Sequence, residues 1–182
     1  SFLSTSLPGF PSAAAYKEYA QRIGRDPLHQ APELLADAVY GLPELHRTQI
    51  GTTTPVVGNA GCFAVSCILG LAPAVKYKLI EMDTIICDCK SGASGVGKKP
   101  SATFHFPSRY EQINAYRLGG HQHVMEIDQE LSRLAGTDIA VTFTPQVIPA
   151  CRGILSTLYA KLAEGVTRAK VTDAYEVFHK NN

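Results

Sequence analysis

The apolar run from Cys62 to Val75, entered through Gly58-Asn59-Ala60-Gly61, constrains this chain more than any other stretch of its sequence. Val56 and Val57 close a predicted strand, Gly58 and Gly61 permit a tight turn, and a largely apolar helix is predicted from about Phe63 towards Val75. The run is too short to span a bilayer and contains Pro73. A strand that turns directly into such a helix sets Cys62 at the helix N-terminus. Unpaired N–H groups and the helix dipole favour the thiolate there. Thiolates attack acyl carbons; thiols hardly do. The residues leave a second reading open, because free cysteine is among the most buried residue types and packs as a small hydrophobe.

The remaining composition narrows the classes. A length of 182 residues suits one domain, or one domain with a fragment of another, and is ample for a sizeable core. Net charge is +1, with no basic tract and no acidic tail, so neither nucleic acid nor a membrane surface is an expected partner. No charged region followed by a long apolar one marks a signal peptide. The five cysteines are an odd number, and Cys87 and Cys89 alternate with Asp88 rather than forming Cys-x-x-Cys. Reduced thiols in a cytoplasmic compartment are therefore expected.

Before Pro55 the pattern is irregular. Phe10-Pro11-Ser12 leads into a predicted helix carrying Ala13, Tyr16 and Tyr19, which Gly24-Arg25-Asp26-Pro27 ends, and short pieces follow at Pro32–Ala38 and Pro43–Arg47. These residues lack the parallel βαβ pattern of a dinucleotide site. Beyond Cys62 the periods become regular. Strands are predicted at Thr84–Lys90, Ile139–Thr144 and Arg152–Leu162, and helices at Val124–Leu134, ended by Gly136, and Thr167–Lys180. The last strand carries apolar residues on both faces, which suits a sheet covered on both sides, one cover being a second subunit. The order is not a βαβ repetition, so α+β is the expected class.

Three clusters carry chemistry. Ser91-Gly92-Ala93-Ser94-Gly95-Val96-Gly97-Lys98-Lys99 follows a strand and offers bare backbone N–H groups, hydroxyls and ammonium groups, as an anion cradle does; a solvated surface turn reads the same way. His121 and His123 share a side if their segment is extended, and either can serve acid–base chemistry or sit at the start of the following helix. With Cys87 and Cys89 a zinc site is conceivable, but the spacing is not that of a ligand set, and no metal is expected. Glu126, one turn into that helix, either orients a histidine or favours the N-terminal dipole. Arg152 suits a substrate carboxylate or phosphate, or equally a loop carbonyl.

Together these segments resemble N-acetyl-gamma-glutamyl-phosphate reductase, a relative of aspartate-semialdehyde dehydrogenase. Gly58-Asn59-Ala60-Gly61-Cys62-Phe63 is similar to the family's active-site cysteine motif, with Ala60 where proline is usual. Lys90 to Pro100 is similar to its glycine loop, and Ala115-Tyr116-Arg117-Leu118-Gly119-Gly120-His121-Gln122-His123 with Glu126-Ile127 to its catalytic histidine segment. Phe143-Thr144-Pro145-Gln146-Val147-Ile148-Pro149 with Arg152-Gly153-Ile154-Leu155, and Tyr40-Gly41-Leu42-Pro43-Glu44-Leu45, match further motifs. All stand in family order between about Asp26 and Phe178, whereas Ser1–Gly9 fits poorly.

The resemblance implies a glyceraldehyde-3-phosphate-dehydrogenase-like catalytic domain, with a mixed, largely antiparallel sheet covered by helices, over residues 62–182. Residues 1–61 would be the tail of an α/β nucleotide-binding domain. It implies NADPH-dependent reduction of N-acetyl-gamma-glutamyl phosphate, in arginine biosynthesis, through a thioester on Cys62. His121 would be the acid–base group and His123 its fallback. Asn59, Tyr116, His123 and Arg152 would bind substrate, and Ser91, Gly92, Ser94 and Gly95 the cofactor or a phosphate. A homodimer or homotetramer is implied. Gln122 stands where arginine is frequent and Gln146 where histidine is, so altered substrate affinity or another basic residue in their place is expected. The family's Gly-rich nucleotide turn is missing, so the chain alone is expected neither to bind NADPH nor to turn over. Three alternatives remain: an assembly module with an idle site, a reductase of a lysine-pathway carrier-bound acyl phosphate, and a Cys-His hydrolase.

Overall fold

The computed structural model describes residues 12–29 and 31–181; the predicted lead-in Phe10-Pro11 and the poorly matching Ser1–Gly9 lie outside them. Helix α1 (Ala13–Arg22) starts where the Ser12 hydroxyl accepts the Ala15 N–H at 3.2 Å, and it ends before Gly24, whose φ of 66° is left-handed. A 3-10 turn at Pro32–Leu35 leads to strand β1 (Ala38–Gly41), then helix α2 (Pro43–His46) and strand β2 (Val56–Asn59). β1 and β2 pair in parallel, from Ala38 opposite Val56 to Gly41 opposite Asn59. The first part of the chain thus holds a small parallel pair with a helical crossing, contrary to the sequence expectation. Strands of four residues are too short for a period to show. Gly41 is needed there, because a Cβ would lie 2.7 Å from the Gly58 carbonyl oxygen.

Helix α3 (Cys62–Lys76) follows, and Phe63, Ala64, Cys67, Ile68, Leu71, Ala72 and Val75 are all buried. A helix apolar on nearly every side needs cover on every side. It packs against β6 (Ile154–Tyr159), α5 (His123–Ala135) and α6 (Arg168–Asn181). Between these come β3 (Ile86–Ser91), the single turn α4 (Phe106–Arg109), β4 (Asn114–Ala115) and β5 (Thr142–Val147). The four later strands form one mixed sheet in the order β4-β5-β3-β6, with β3 and β5 parallel and the other two pairings antiparallel. Class and architecture are those expected, α+β with a mixed sheet.

Boundaries shift where local signals mislead. β5 begins three residues later than predicted and runs through Pro145. Pro145 is tolerated because its carbonyl accepts the Tyr116 N–H at 3.1 Å, so its missing N–H faces the short strand β4 and not β3. β6 is confined to Ile154–Tyr159, and Leu162 makes only an isolated bridge to Ile80.

Cys87, Cys89, Phe143 and Leu158 face α3 and α5 in the main core. The opposite face carries Ile86, Asp88 and Lys90 of β3, Thr142, Thr144 and Gln146 of β5, and Leu155, Thr157 and Tyr159 of β6. Asp88 stands at its centre, accepting from Lys90 Nζ at 2.8 Å and from Gln146. Among the described residues no helix covers this face, and Leu155 and Tyr159 are more than half exposed. The chain therefore covers its sheet on one side only, not on two.

The close approach at Gly41 supplies a test of the β1–β2 pair. Gly41→Ala places a methyl against backbone atoms that cannot rotate away, and an overpacking cost of about 1–3 kcal/mol is expected. Chemical denaturation should report it as a lower midpoint at unchanged slope.

Candidate active site

Cys62 is the first residue of α3 and is exposed. The preceding Gly61 is extended, and its carbonyl accepts the Val65 N–H at 2.8 Å. Its own N–H donates to Glu126 Oε2 at 2.9 Å, and the Tyr40 hydroxyl donates to the same oxygen at 2.9 Å. Only glycine fits here. A Cβ on Gly61 would lie 2.4 Å from the His123 ring and 2.8 Å from Glu126 Oε1. Helix α5 thus presses its first turn against the entry to α3. One turn further on, Glu130 accepts from or donates to His46 Nε2 at 2.6 Å, both groups being buried, and the His46 ring meets Tyr40 edge-on.

Of the two arrangements the sequence left open, the two histidines adopt the start of the following helix and not an extended segment. His121 precedes α5 and His123 is its first residue, with ring centroids 4.7 Å apart. His121 is enclosed edge-on by Phe63, Tyr116 and Phe143. Its Nδ1 accepts the His123 backbone N–H at 3.2 Å. The neutral ring therefore carries its proton on Nε2 and is a hydrogen-bond donor there. His123 Nε2 stands 4.0 Å from Glu126 Oε1, too far for a hydrogen bond, and its buried Nδ1 has no partner.

Burial displaces the ionisation of His121, His123, Glu126, Tyr116 and Cys62. It lowers His121 to about 3, helped by His123 and the Arg117 charge, and His123 to about 4, helped by Arg117. Burial raises Glu126 to about 7 against its bonds from Gly61 and Tyr40. Tyr116 is pushed to about 12. The Cys62 thiol is also raised. Protein packed around the sulfur outweighs the backbone N–H groups of Phe63 and Cys62 that favour the thiolate, and Glu126 adds to the rise. The residue is open at the surface while its sulfur is poorly solvated. The helix-start effect expected from the sequence is present, and desolvation exceeds it.

A cleft of about 510 Å³ opens here, and Cys62, His121, His123, Tyr116, Ser91, Gly92 and Gly95 all line it. Three of the expected site residues do not: Asn59, Ser94 and Arg152. Arg152 runs behind the loop, its backbone against Gly92, where a Cβ would meet it at 2.8–2.9 Å. The loop is not the bare cradle expected either. The N–H groups of Gly92, Ala93 and Ser94 donate to the carbonyls of Gly153, Ala150 and Cys151, each at 2.9 Å. Gln146 lies on the open sheet face bonded to Asp88, off the cleft lining. Sequence reasoning missed Arg117 and Gln122 as a bonded pair in the cleft, and Tyr40 as a partner of Glu126. Among the described residues no three metal-ligating side chains gather; Cys89 instead bonds Cys67 and Ser156 in the core.

A helix-start cysteine, two histidines from a second helix, and a mixed sheet behind them define a type of domain. Residues 62–182 match the family described as semialdehyde dehydrogenase, dimerisation domain, and the chain belongs to that family. Its curated relatives carry a narrower name. It is 49% identical over 172 residues to an N-acetyl-gamma-glutamyl-phosphate reductase of Syntrophobacter fumaroxidans, covering 94% of this chain and 48% of that protein. It is 45% identical over 170 residues to the protein of that name from Moorella thermoacetica, covering 93% and 47%. The chain thus spans about half the length of the curated relatives it matches. Among solved structures, aspartate semialdehyde dehydrogenase II from Vibrio cholerae shares the fold, with a TM-score of 0.57 at 15% identity over 78% of this chain and 49% of that one.

The negative charge of Glu126 beside Cys62 makes a prediction. Glu126→Gln keeps an acceptor for Gly61 and removes a charge that disfavours the thiolate. The pH profile of Cys62 alkylation should move to lower pH in that variant. A profile unmoved, or moved to higher pH, contradicts the electrostatic reading.

Proposed function

We propose that this chain is the catalytic and oligomerisation part of an NADPH-dependent N-acetyl-gamma-glutamyl-phosphate reductase, working in the arginine pathway, in the cytoplasm. The observation that carries the reading is the single cleft on which an exposed helix-start cysteine and two desolvated histidines open together; the names of the curated relatives support it. Residues 1–61 are read as the tail of the nucleotide-binding domain and residues 62–182 as the catalytic domain.

Cys62 as thiolate attacks the acyl carbon of the acyl phosphate. The carbon–sulfur bond forms, the bond from carbon to the phosphate oxygen breaks, and inorganic phosphate leaves a thioester. His121 donates from Nε2 to the oxygen that gains negative charge in this step, and an anion in the cleft raises the ring's pKa from its low resting value. His123, at the wall next to Gly61, orients that oxygen or the departing phosphate. NADPH, when bound, supplies the hydride that takes the thioester to the aldehyde level. Ser91, Gly92 and Gly95 fit the reacting end of that cofactor as a wall, but the loop amides turned to residues 150–153 do not fit its phosphates. Because its sequence carries no Gly-rich nucleotide-binding turn, the 182-residue chain alone is expected to show no NADPH affinity and no turnover.

The open sheet face is read as the self-association surface of a homodimer or homotetramer. Its outer row from β6, Leu155 and Tyr159, is apolar and exposed, and the matched family is named for dimerisation.

Two experiments test this. In the protein complete with a nucleotide domain, Cys62→Ser should abolish aldehyde formation with the fold intact, and His121→Asn should lose on the order of a hundredfold in rate. Near-wild-type turnover of Cys62→Ser rejects the thioester route, and a far larger loss in His123→Asn reverses the two histidines. Sedimentation should find a dimer or larger for the chain and a monomer for Leu155→Asp combined with Tyr159→Asp.

A further inference from the structure

Arg117 has no role in the scheme above, yet it lines the cleft and is held there by its own turn and by Gln122. Its backbone follows Tyr116, whose N–H is tied to Pro145 at 3.1 Å, so the chain is fixed to the sheet up to that point. Arg117 itself has a φ of 49°, a left-handed conformation unfavourable for a long side chain. Its carbonyl accepts the Gly120 N–H at 3.1 Å, closing the turn that delivers His121. The side chain lines the cleft, and Nη1 donates to Gln122 Oε1 at 2.9 Å. Gln122 sits at the start of α5 and does not bond the helix end with its side chain.

Among the described cleft-lining residues Arg117 is the only one with a permanent charge. Among the described residues no carboxylate stands within ion-pair distance of it. Both histidines respond to that charge, which places it close to them.

We propose that Arg117, positioned by Gln122, is the anion anchor of this cleft, binding an oxyanion of the substrate beside Cys62. The proposal rests on the reductase reading. An acyl phosphate with a free carboxylate brings two oxyanionic groups, and Arg152, the expected partner for one, is not among the residues lining the cleft, its backbone packing against Gly92. A guanidinium has five N–H donors. Gln122 occupies one and leaves the others for a bidentate contact. The neutral amide at position 122 matters to this. It holds Arg117 without cancelling its charge, as a carboxylate would, and without repelling it, as a second cation would.

The test uses the chain itself and reads protection of Cys62 from alkylation, with inorganic phosphate and N-acetylglutamate as separate probes. Wild type should be protected by at least one of them. Arg117→Ala should raise the half-protecting concentration of that probe on the order of tenfold to a hundredfold. Arg117→Lys should fall between, because it keeps the charge and loses the fork. Gln122→Ala should weaken protection less than Arg117→Ala, and Arg133→Ala, in the last turn of α5, should leave it unchanged. Thermal melts confirm that each variant is folded. Loss confined to phosphate assigns the phosphoryl group to Arg117; loss confined to N-acetylglutamate assigns the carboxylate. Wild-type protection retained by Arg117→Ala, or no protection of wild type by either probe, overturns the proposal. Failure of the reductase reading looks different, since it appears as turnover surviving Cys62→Ser whatever the anion affinity.

Discussion

Burying a carboxylate is costly unless its oxygens are satisfied, and the Glu126 carboxylate is almost wholly inaccessible. Its Oε2 collects the Gly61 N–H and the Tyr40 hydroxyl. Those two bonds join β1, the turn before α3, and α5, three pieces far apart in sequence. The Gly61 N–H lies just before Cys62, in the region where a helix leaves its donors unpaired. Satisfying it from another helix fixes where α3 begins, and so where the Cys62 sulfur stands. The glycine at 61 is the steric counterpart of the same contact, since nothing larger admits the His123 ring.

The rest of the architecture answers the demand of α3 for cover. One side receives the Cys87 and Cys89 face of β3 together with β6, another α5, another α6. Bonds between polar side chains mark the α3–sheet contact: Ser66 donates to Ser156 at 2.7 Å, and Cys89 to the same hydroxyl at 3.2 Å. Since all three helices lie on one side, the other side of the sheet is left with Asp88, Lys90 and Gln146 at its middle and apolar residues towards β6. Gln146, where the family pattern has histidine, thus lies on that surface and not among the residues lining the cleft.

Much of this was legible because it is local. The apolar run, the alternation of Cys87 and Cys89, the spacing of Ile127 and Leu131, and Gly136 as a helix stop, with φ of 72°, each announce an element without reference to any other. The parallel β1–β2 pair was not, because each strand is four residues long and holds only through its partner. Pro145 reads as a strand breaker, and only the side on which β4 lies shows why it is harmless. Cleft membership is less local still. Arg152 lies next to Gly153, where φ of 107° turns the chain, and the sequence does not say that this sets the Arg152 backbone against Gly92 and leaves the residue off the cleft lining. Conversely, Arg117 and Gln122 were in plain view within a recognised motif, but their pairing depends on a turn whose left-handed residue is arginine itself.

The displaced ionisations belong together. With nothing bound, His121 and His123 are held neutral, Tyr116 keeps its proton, and the Cys62 thiol is disfavoured as an anion. Among the described cleft-lining residues Arg117 is then the one with a fixed charge. An arriving oxyanion offsets that charge, and in doing so removes a repulsion that keeps both histidines unprotonated. On the proposed roles of Arg117 and His121, the same binding event draws in the anion and raises the basicity of the two rings. A thiol kept protonated in the empty site is also less exposed to stray electrophiles and oxidants. Desolvation around Cys62 therefore does not contradict a catalytic role. On the proposed mechanism it leaves the Cys62 thiol muted until an anion held by Arg117 changes the electrostatics of the cleft.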